Sequence, residues 1–567
     1  MALQHQSVNH TLIATLLVCW LVVLIKLGLP ELLPYSEAVT AFRADAVLHH
    51  SAVMDQTNFS LSGISSSAKP PLTSYLVSLS MYVLGESNFA LRFPFALVSL
   101  GVLFLVYHAT QAFIPRKFSL FAPVILAGTA FFGYSARTIE PTIVSIFLLL
   151  LIFNHILSIE KKSTFSLLDF CLLSISFALT VLNEVYSVII ALALLFPLLL
   201  TTTIPKAKIL FSIGTGVVIA LSWFLYMFSL YGFPFVQSYL QIGIFPTTFF
   251  QKLQNLSSIF LYDAPVLLIG LFSVGQSISQ LRNNTVKEST ELTQILHFST
   301  LLWFATALGV FLFTPTFSSS SAVSVVIPLL LIAVLQIHTL YVQNRNSFVV
   351  STMLNFVLLQ TIWIVLKYFI GNSFIPASTD TLIPAFILFV SVGITFFMMK
   401  VKHQPLSFRL IHWIFVVMPI FLVGKQFLTN ARISANELDG ATSVAMFFKQ
   451  GTELPFIYLY HQEHTFSYDA PQLAWYSKEV FPKLEARKTY TPLFLSSTVL
   501  DKEAIDALLK PEFYDKPIVY HFLNQAPIKE ALIKELSRYR DILTEKPNYI
   551  VFGGVDKMKL LFENKDK

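Results

Sequence analysis

The sequence predicts a polytopic α-helical membrane protein with about thirteen transmembrane helices and a C-terminal soluble α/β domain. Three observations lead there. The chain is 55% hydrophobic and only 12% charged, too apolar for water to be its main solvent. Its apolar residues recur in runs of about 20, the length that spans a hydrocarbon core about 30 Å thick at about 1.5 Å of helix rise per residue. Charge is concentrated at one end, with roughly half of all Asp, Glu, Lys and Arg beyond residue 430. That shift sets the expected division into a membrane domain at 1–429 and a soluble domain at 430–567.

The expected spans lie near 11–30, 93–114, 118–134, 140–158, 166–183, 185–203, 208–230, 258–279, 294–314, 322–342, 348–370, 381–400 and 409–428. The first run lacks a basic leader and a small-x-small cleavage pattern and is followed by Pro30-Glu31-Leu32-Leu33-Pro34, so an uncleaved first span is expected. Orientation follows from basic residues, which are retained on the cytoplasmic side of short loops. Arg116-Lys117, Lys161-Lys162, Lys206 with Lys208, Arg282 with Lys287, Arg345, and Lys400-Lys402-Arg409 fall in alternate loops. The N-terminus is therefore expected inside. The loops at 31–92 and 231–257 and the C-terminal domain are expected outside.

The first outer loop, 31–92, is long, and loops beyond about 12 to 15 residues are often functional. Within it the apolar, aromatic-rich stretch Tyr75 to Val83 fits a helix lying in the membrane interface. The C-terminal domain alternates candidate strands at 456–460, 518–522 and 549–552 with helical periodicity at 501–509 and 529–539.

Several function classes fall away. The formal net charge of +6 resides in short loops and not in a basic stripe, so no nucleic-acid partner is expected. The two cysteines, Cys19 and Cys171, lie inside apolar runs and build no disulfide or metal framework. His49-His50 and His461 with His464 are candidate metal ligands, but neither pair has a third ligand at metal-site spacing, so no metal site is assigned. Secondary transporters place ionisable groups at mid-membrane. Apart from His297, and Lys367 nearer a span end, the spans carry almost none, which makes transport the third reading.

Charges are costly near hydrocarbon, so polar groups at the outer span ends are the place to look for chemistry. They are Glu37, Lys69, Arg92, Arg137, Glu140, Glu184, Lys252 and Asp263. Carboxylates and cations together suit glycosyl transfer from a lipid phosphate: a carboxylate takes the proton of an acceptor hydroxyl, and fixed cations stabilise the departing phosphate. The plain alternative is that Glu37, Arg92 and Arg137 are ordinary interfacial charges that anchor helices by snorkelling.

Ser67-Ala-Lys69-Pro70-Pro71-Leu72, leading through Leu84-Gly85-Glu86-Ser87-Asn88-Phe89-Ala90-Leu91-Arg92-Phe93-Pro94, resembles the first-loop signature of the GT-C glycosyltransferases related to the lipid A aminoarabinose transferases and the protein O-mannosyltransferases. Tyr134-Ser-Ala-Arg137, the span count and a terminal outer α/β domain extend the resemblance. Members transfer a sugar from a polyprenyl-phosphate carrier to a lipid, glycan or protein on the outer face, usually with inversion. The resemblance implies Glu37 as a catalytic carboxylate and Lys69 and Arg137 as donor-phosphate contacts; Glu140, with Asp45 as an alternative, is the further candidate base in a rearranged pocket, and Arg92 the further candidate phosphate contact. It also implies a bacterial inner (plasma) membrane location. The pattern departs from the family at Ser36, where an Asp is usual, at Ala68, where the lipid A enzymes have Glu, at Thr142 and at Glu184. The family's Lys and Tyr near Ser318 to Pro328 are absent.

The expected function is thus a membrane glycosyltransferase using a polyprenyl-phosphate sugar donor and an envelope glycolipid, glycan or protein acceptor, with membrane lipids as its surroundings. The runner-up is a non-catalytic protein of the same fold that binds lipid-linked sugar or scaffolds an active enzyme. No cofactor is implied outright; the carboxylates leave room for a divalent cation.

Overall fold

The computed structural model describes residues 2–30, 32, 36–56, 69–162, 164–201, 206–240, 291–313 and 323–342, five strands of the C-terminal region, and a few isolated residues between them. The described part is mainly helical: α1 (Ala2–Leu24), α2 (Ser36–His50), α3 (Leu72–Leu84), α4 (Asn88–Gln111), α5 (Arg116–Ser119), α6 (Phe121–Ala127), α7 (Ala130–Ser135), α8 (Pro141–Lys162), α9 (Leu167–Val181), α10 (Val185–Thr201), α11 (Lys206–Tyr231), α12 (Phe233–Leu240), α13 (Glu291–Phe313) and α14 (Val323–Val342). Among the described residues, three helices are long and apolar enough to cross a membrane: Asn88–Gln111, Pro141–Ile159 and Lys206–Tyr231. The expected spans at 348–370, 381–400 and 409–428, and most of 258–279, lie outside the described residues, as do His464 and the helix expected at 501–509.

The apolar run at 118–134, expected as one span, is instead divided among α5, α6 and α7. Hydropathy alone cannot see such a break. Gly128 closes α6, and Thr129 takes an extended backbone before the chain re-enters a helix. Glycine lowers helix propensity by about 1 kcal/mol relative to alanine, which makes this the weakest point of the run.

The chain divides into two compact units, 1–25 with 93–225 and 243–432, and 26–92 with 226–242 and 433–567. In the first unit α8, α9 and α10 pack on one another, α13 lies against α10 and α8, and α14 packs on α13, α8 and α6. Its core is mainly apolar, with buried polar residues such as Ser145, Asn183 and Ser187 among the helices. Trp303 is fully buried, its ring centroid 5.9 Å from that of Phe153.

In the second unit α2 packs on α3. Gly28 lets the chain pass close to the start of α4, because a Cβ there would sit 2.8 Å from Phe89 Cβ. The same unit holds a five-stranded sheet of β1 (Phe456–His461), β2 (Tyr490–Leu495), β3 (Ile518–His521), β4 (Arg540–Glu545) and β5 (Tyr549–Val555), ordered β2-β1-β3-β5-β4. β1 runs parallel to β2 and β3, whereas β5 is antiparallel to β3 and β4. Three of these strands fall where apolar, aromatic-rich runs predict them. Their Ile518, Ile550, Val551 and Phe552 are buried, as the strands of a two-sided core require.

Candidate functional site

Two groups of candidate residues occur, one in each unit. In the second unit, α2 begins at Ser36 and carries Glu37 in its first turn, where a carboxylate meets the positive end of the helix dipole. Glu37 is fully buried and is met by Arg92 from the first turns of α4. Arg92 Nε donates to Glu37 Oε1 at 3.1 Å and Nη2 to Oε2 at 2.6 Å. This is the two-point geometry that makes Arg–carboxylate pairs directional. Arg92 Nη1 also donates to the carbonyls of Leu27 at 3.2 Å and Pro30 at 2.7 Å, so one guanidinium fastens the chain entering the first loop to the acid of α2.

Lys69 has an exposed side chain, and its main chain is anchored from α2. Arg43 Nη2 donates to the carbonyl of Lys69 and, at 3.2 Å, to that of Pro70. Arg43 is buried, and that burial pushes its guanidinium down to about 10, partly opposed by Tyr75. It therefore stays protonated at neutral pH, a desolvated cation whose Nη2 meets two carbonyl dipoles while its buried Nε has no hydrogen-bond partner. Arg43 lies six residues after Glu37, about 9 Å further along the helix axis, so one helix carries both the acid and the clamp on the Lys-Pro segment. Sequence reasoning missed Arg43. Its only signal was a basic residue amid the apolar positions of a short helix.

The helix α3 is turned inside out. Thr73, Ser74, Val77, Ser78, Ser80 and Met81 are buried, while Leu79, Tyr82, Val83 and Leu84 are exposed by 45–75%. On its inner face Ser74 Oγ donates to Gln56 Oε1 at 2.7 Å and Ser80 Oγ to the Ala90 carbonyl, while the Tyr75 hydroxyl donates to the Val53 carbonyl at 2.6 Å in a more exposed position.

In the first unit, Arg137 follows α7 and is 8% exposed. Its Nη1 donates to the carbonyls of Val23 and Ile25, both at 2.6 Å, which occupies C=O groups left over at the end of α1. Glu140 is buried immediately before α8. A polar network lies beside it: Asn183 Nδ2 donates to the Pro141 carbonyl and to Ser145 Oγ, both at 2.7 Å, and the Ser145 and Ser187 hydroxyls each donate to Glu184 Oε2 at 3.1 Å. Asn183, which the sequence did not single out, thus ties the residue next to Glu140 to the turn between α9 and α10. Lys252 and Asp263 lie outside the described residues.

His49 gains partners that spacing could not reveal. Its Nε2 is 2.8 Å from Glu86 Oε1 and 3.8 Å from Asp45 Oδ1. The three residues form a set whose ligand atoms all lie within 4.8 Å of one another.

The family model for dolichyl-phosphate-mannose-protein mannosyltransferases matches residues 68–228. No curated protein matches the chain significantly. Among solved structures, ArnT from Cupriavidus metallidurans bound to undecaprenyl phosphate aligns with a TM-score of 0.60 at 11% identity, covering 97% of this chain and 98% of that one. The apo form of the same protein gives 0.60 at 13% identity, with 98% and 99% covered. The Archaeoglobus fulgidus oligosaccharyltransferase tethered to an acceptor peptide containing the NVT sequon gives 0.50 at 10% identity, covering 96% of this chain and 74% of that one. The resemblance to the GT-C glycosyltransferases read from the first loop is thus met by both comparisons, and the fold is theirs. At these identities the likeness is one of fold.

Proposed function

We propose that the chain is a membrane glycosyltransferase that moves a sugar from a polyprenyl-phosphate donor to an envelope glycolipid, glycan or protein on the non-cytoplasmic face. The observation that carries this reading is the end-to-end likeness to an undecaprenyl-phosphate-bound fold, joined to a family match that starts at the Lys69-Pro70 segment. The site residues are those of the outer rim. Lys69 and Arg137 meet the donor phosphate. Arg92 adds positive charge there while holding Glu37.

In the reaction, the acceptor oxygen forms a bond to the sugar's anomeric carbon as the bond from that carbon to the phosphate oxygen breaks. The bonding pair leaves with the polyprenyl phosphate, whose growing negative charge the cations stabilise. The acceptor's proton passes to a carboxylate, Glu140 or Glu37, acting as general base. No metal is assigned a step. The prenyl chain lies along the early spans and α3, whose outward apolar face suits the membrane interface. The region 430–567, taken as an extracytoplasmic soluble domain, selects the acceptor. The chain resides in a bacterial plasma membrane with its N-terminus in the cytoplasm.

The test is transfer by purified protein in liposomes with an undecaprenyl-phosphate-linked sugar, following release of undecaprenyl phosphate. Loss of turnover in Glu37→Gln or Glu140→Gln supports the reading. Full activity with both acids neutralised removes the site assignment, and placement of the C-terminal region in the cytosol by labelling removes the outer-face reaction.

A second reading is favoured by one feature. Ser36 occupies the position of the family's usual Asp, and the neighbouring Glu37 is buried against Arg92. A non-catalytic binder of lipid-linked sugar would retain donor binding, lost in Lys69→Ala, with no turnover by the wild-type protein.

A further inference from the structure

We propose that Asp45, His49 and Glu86 form a divalent-metal site of the zinc class that staples the end of α2 to the turn between α3 and α4. Asp45 and His49 are four residues apart on α2 and so share one face of the helix. Glu86 arrives from a distant part of the chain, just after Gly85, whose φ of +79° ends α3. One imidazole nitrogen and two carboxylates converge, every ligand atom within 4.8 Å of the others.

The chemistry of this set decides the ion. Calcium and magnesium take oxygen ligands, whereas a mixed imidazole and carboxylate set suits zinc and its borderline neighbours. With zinc–ligand distances of about 2.0–2.2 Å, tetrahedral ligands stand about 3.3 Å apart. His49 and Glu86 at 2.8 Å and His49 and Asp45 at 3.8 Å bracket that spacing, and the remaining pair lies within 4.8 Å, so side-chain adjustment without a change of backbone brings the three onto one ion. Side-chain exposure rises from 17% at Asp45 through 32% at Glu86 to 50% at His49, which leaves a path for entry and one side open to water. Three protein ligands with a fourth position for water is the zinc arrangement.

The consequence is local. The segment between His49 and Glu86 includes Lys69 and all of α3, so a bound ion closes the loop that presents Lys69. Metal binding here is independent of whether the chain transfers sugar, and it is read directly.

Full-length protein without a histidine tag, stripped with EDTA and held in detergent, is titrated with zinc chloride by calorimetry and with cobalt chloride by visible absorption. The expected result is one ion per chain, with affinity falling about tenfold or more in His49→Ala and in Glu86→Gln. His50→Ala and His461→Ala should leave it unchanged. Zinc should also slow proteolysis between residues 51 and 71 in the wild type but not in Glu86→Gln, a conservative change at an exposed position that keeps the fold intact. Absence of saturable zinc binding in the wild type, equal affinity in His49→Ala with Glu86→Gln, or loss of binding only in His50→Ala or His461→Ala overturns the site.

Discussion

Arg92 holds Glu37 by both carboxylate oxygens, at 3.1 and 2.6 Å, with the two side chains 4% and 0% exposed. An ion pair this deeply withdrawn from water costs desolvation on both sides, and removing one partner leaves the other charge stranded. Arg92→Ala is therefore expected to destabilise the protein by about 3–5 kcal/mol, read as a lowered midpoint of thermal unfolding. The double variant Arg92→Met with Glu37→Leu should lose less than the sum of the single losses, because it strands no charge. Additive losses would mean that the two side chains act independently.

Arg43 invites a different test. Its guanidinium spans the Lys69 and Pro70 carbonyls, a reach that a lysine ammonium does not reproduce with the same fork geometry. Arg43→Lys should weaken binding of the donor lipid roughly as Lys69→Ala does, and combining the two should add little, since both act on the same segment. The readout is the apparent affinity for undecaprenyl phosphate. Full additivity would detach Arg43 from Lys69.

Lys69 and Arg137 should separate by their effect on stability. Lys69 is exposed, so Lys69→Ala is expected to lower donor affinity and leave the stability within about 0.5 kcal/mol of wild type. Arg137 is buried and holds two carbonyls at the end of α1, and hydrogen bonds from a charged donor are worth about 1.5–3 kcal/mol each. Arg137→Ala should thus lose stability and donor binding together. A stable Arg137→Ala would contradict the anchoring described for it.

These contrasts mark what a sequence can and cannot disclose. The apolar runs that become α4, α8 and α11 were legible because a span leaves about 20 consecutive residues of one character. The strands β1, β3 and β5 were legible through their β-branched and aromatic composition. The break at Gly128 and Thr129 was not, since hydropathy does not encode backbone direction. The candidate charges could be picked out one by one, but not their partners: nothing local to Arg92 points to Glu37, 55 positions away, or to the carbonyls of Leu27 and Pro30. His49 lacked a third ligand by spacing because that ligand, Glu86, is 37 positions distant and is delivered by a turn. Long-range pairing comes from the fold, and residues such as Arg43 and Asn183 acquire a role only through it.

The orientation of α3 yields the last prediction. Its hydroxyl-bearing residues Thr73, Ser74, Ser78 and Ser80 face inward, and Leu79, Tyr82 and Val83 face outward at 63%, 75% and 68% exposure. In water that outward face would be an aggregation liability. In the headgroup region it is stabilised, at about 25 cal/mol per Å² of apolar surface removed from water. In full-length protein reconstituted into liposomes, the emission that Tyr82→Trp adds to that of the six native tryptophans should therefore have a blue-shifted maximum and be quenched by lipids brominated near the carbonyl end of the acyl chain more than by lipids brominated near its terminus. Leu79→Glu with Val83→Glu should return the emission towards that of a water-exposed indole, because two carboxylates on one helical face resist burial at that depth. Equal quenching of the added emission at both depths, or a water-like maximum for it in the otherwise unaltered protein, would remove α3 from the interface and with it the proposed resting place of the donor's prenyl chain.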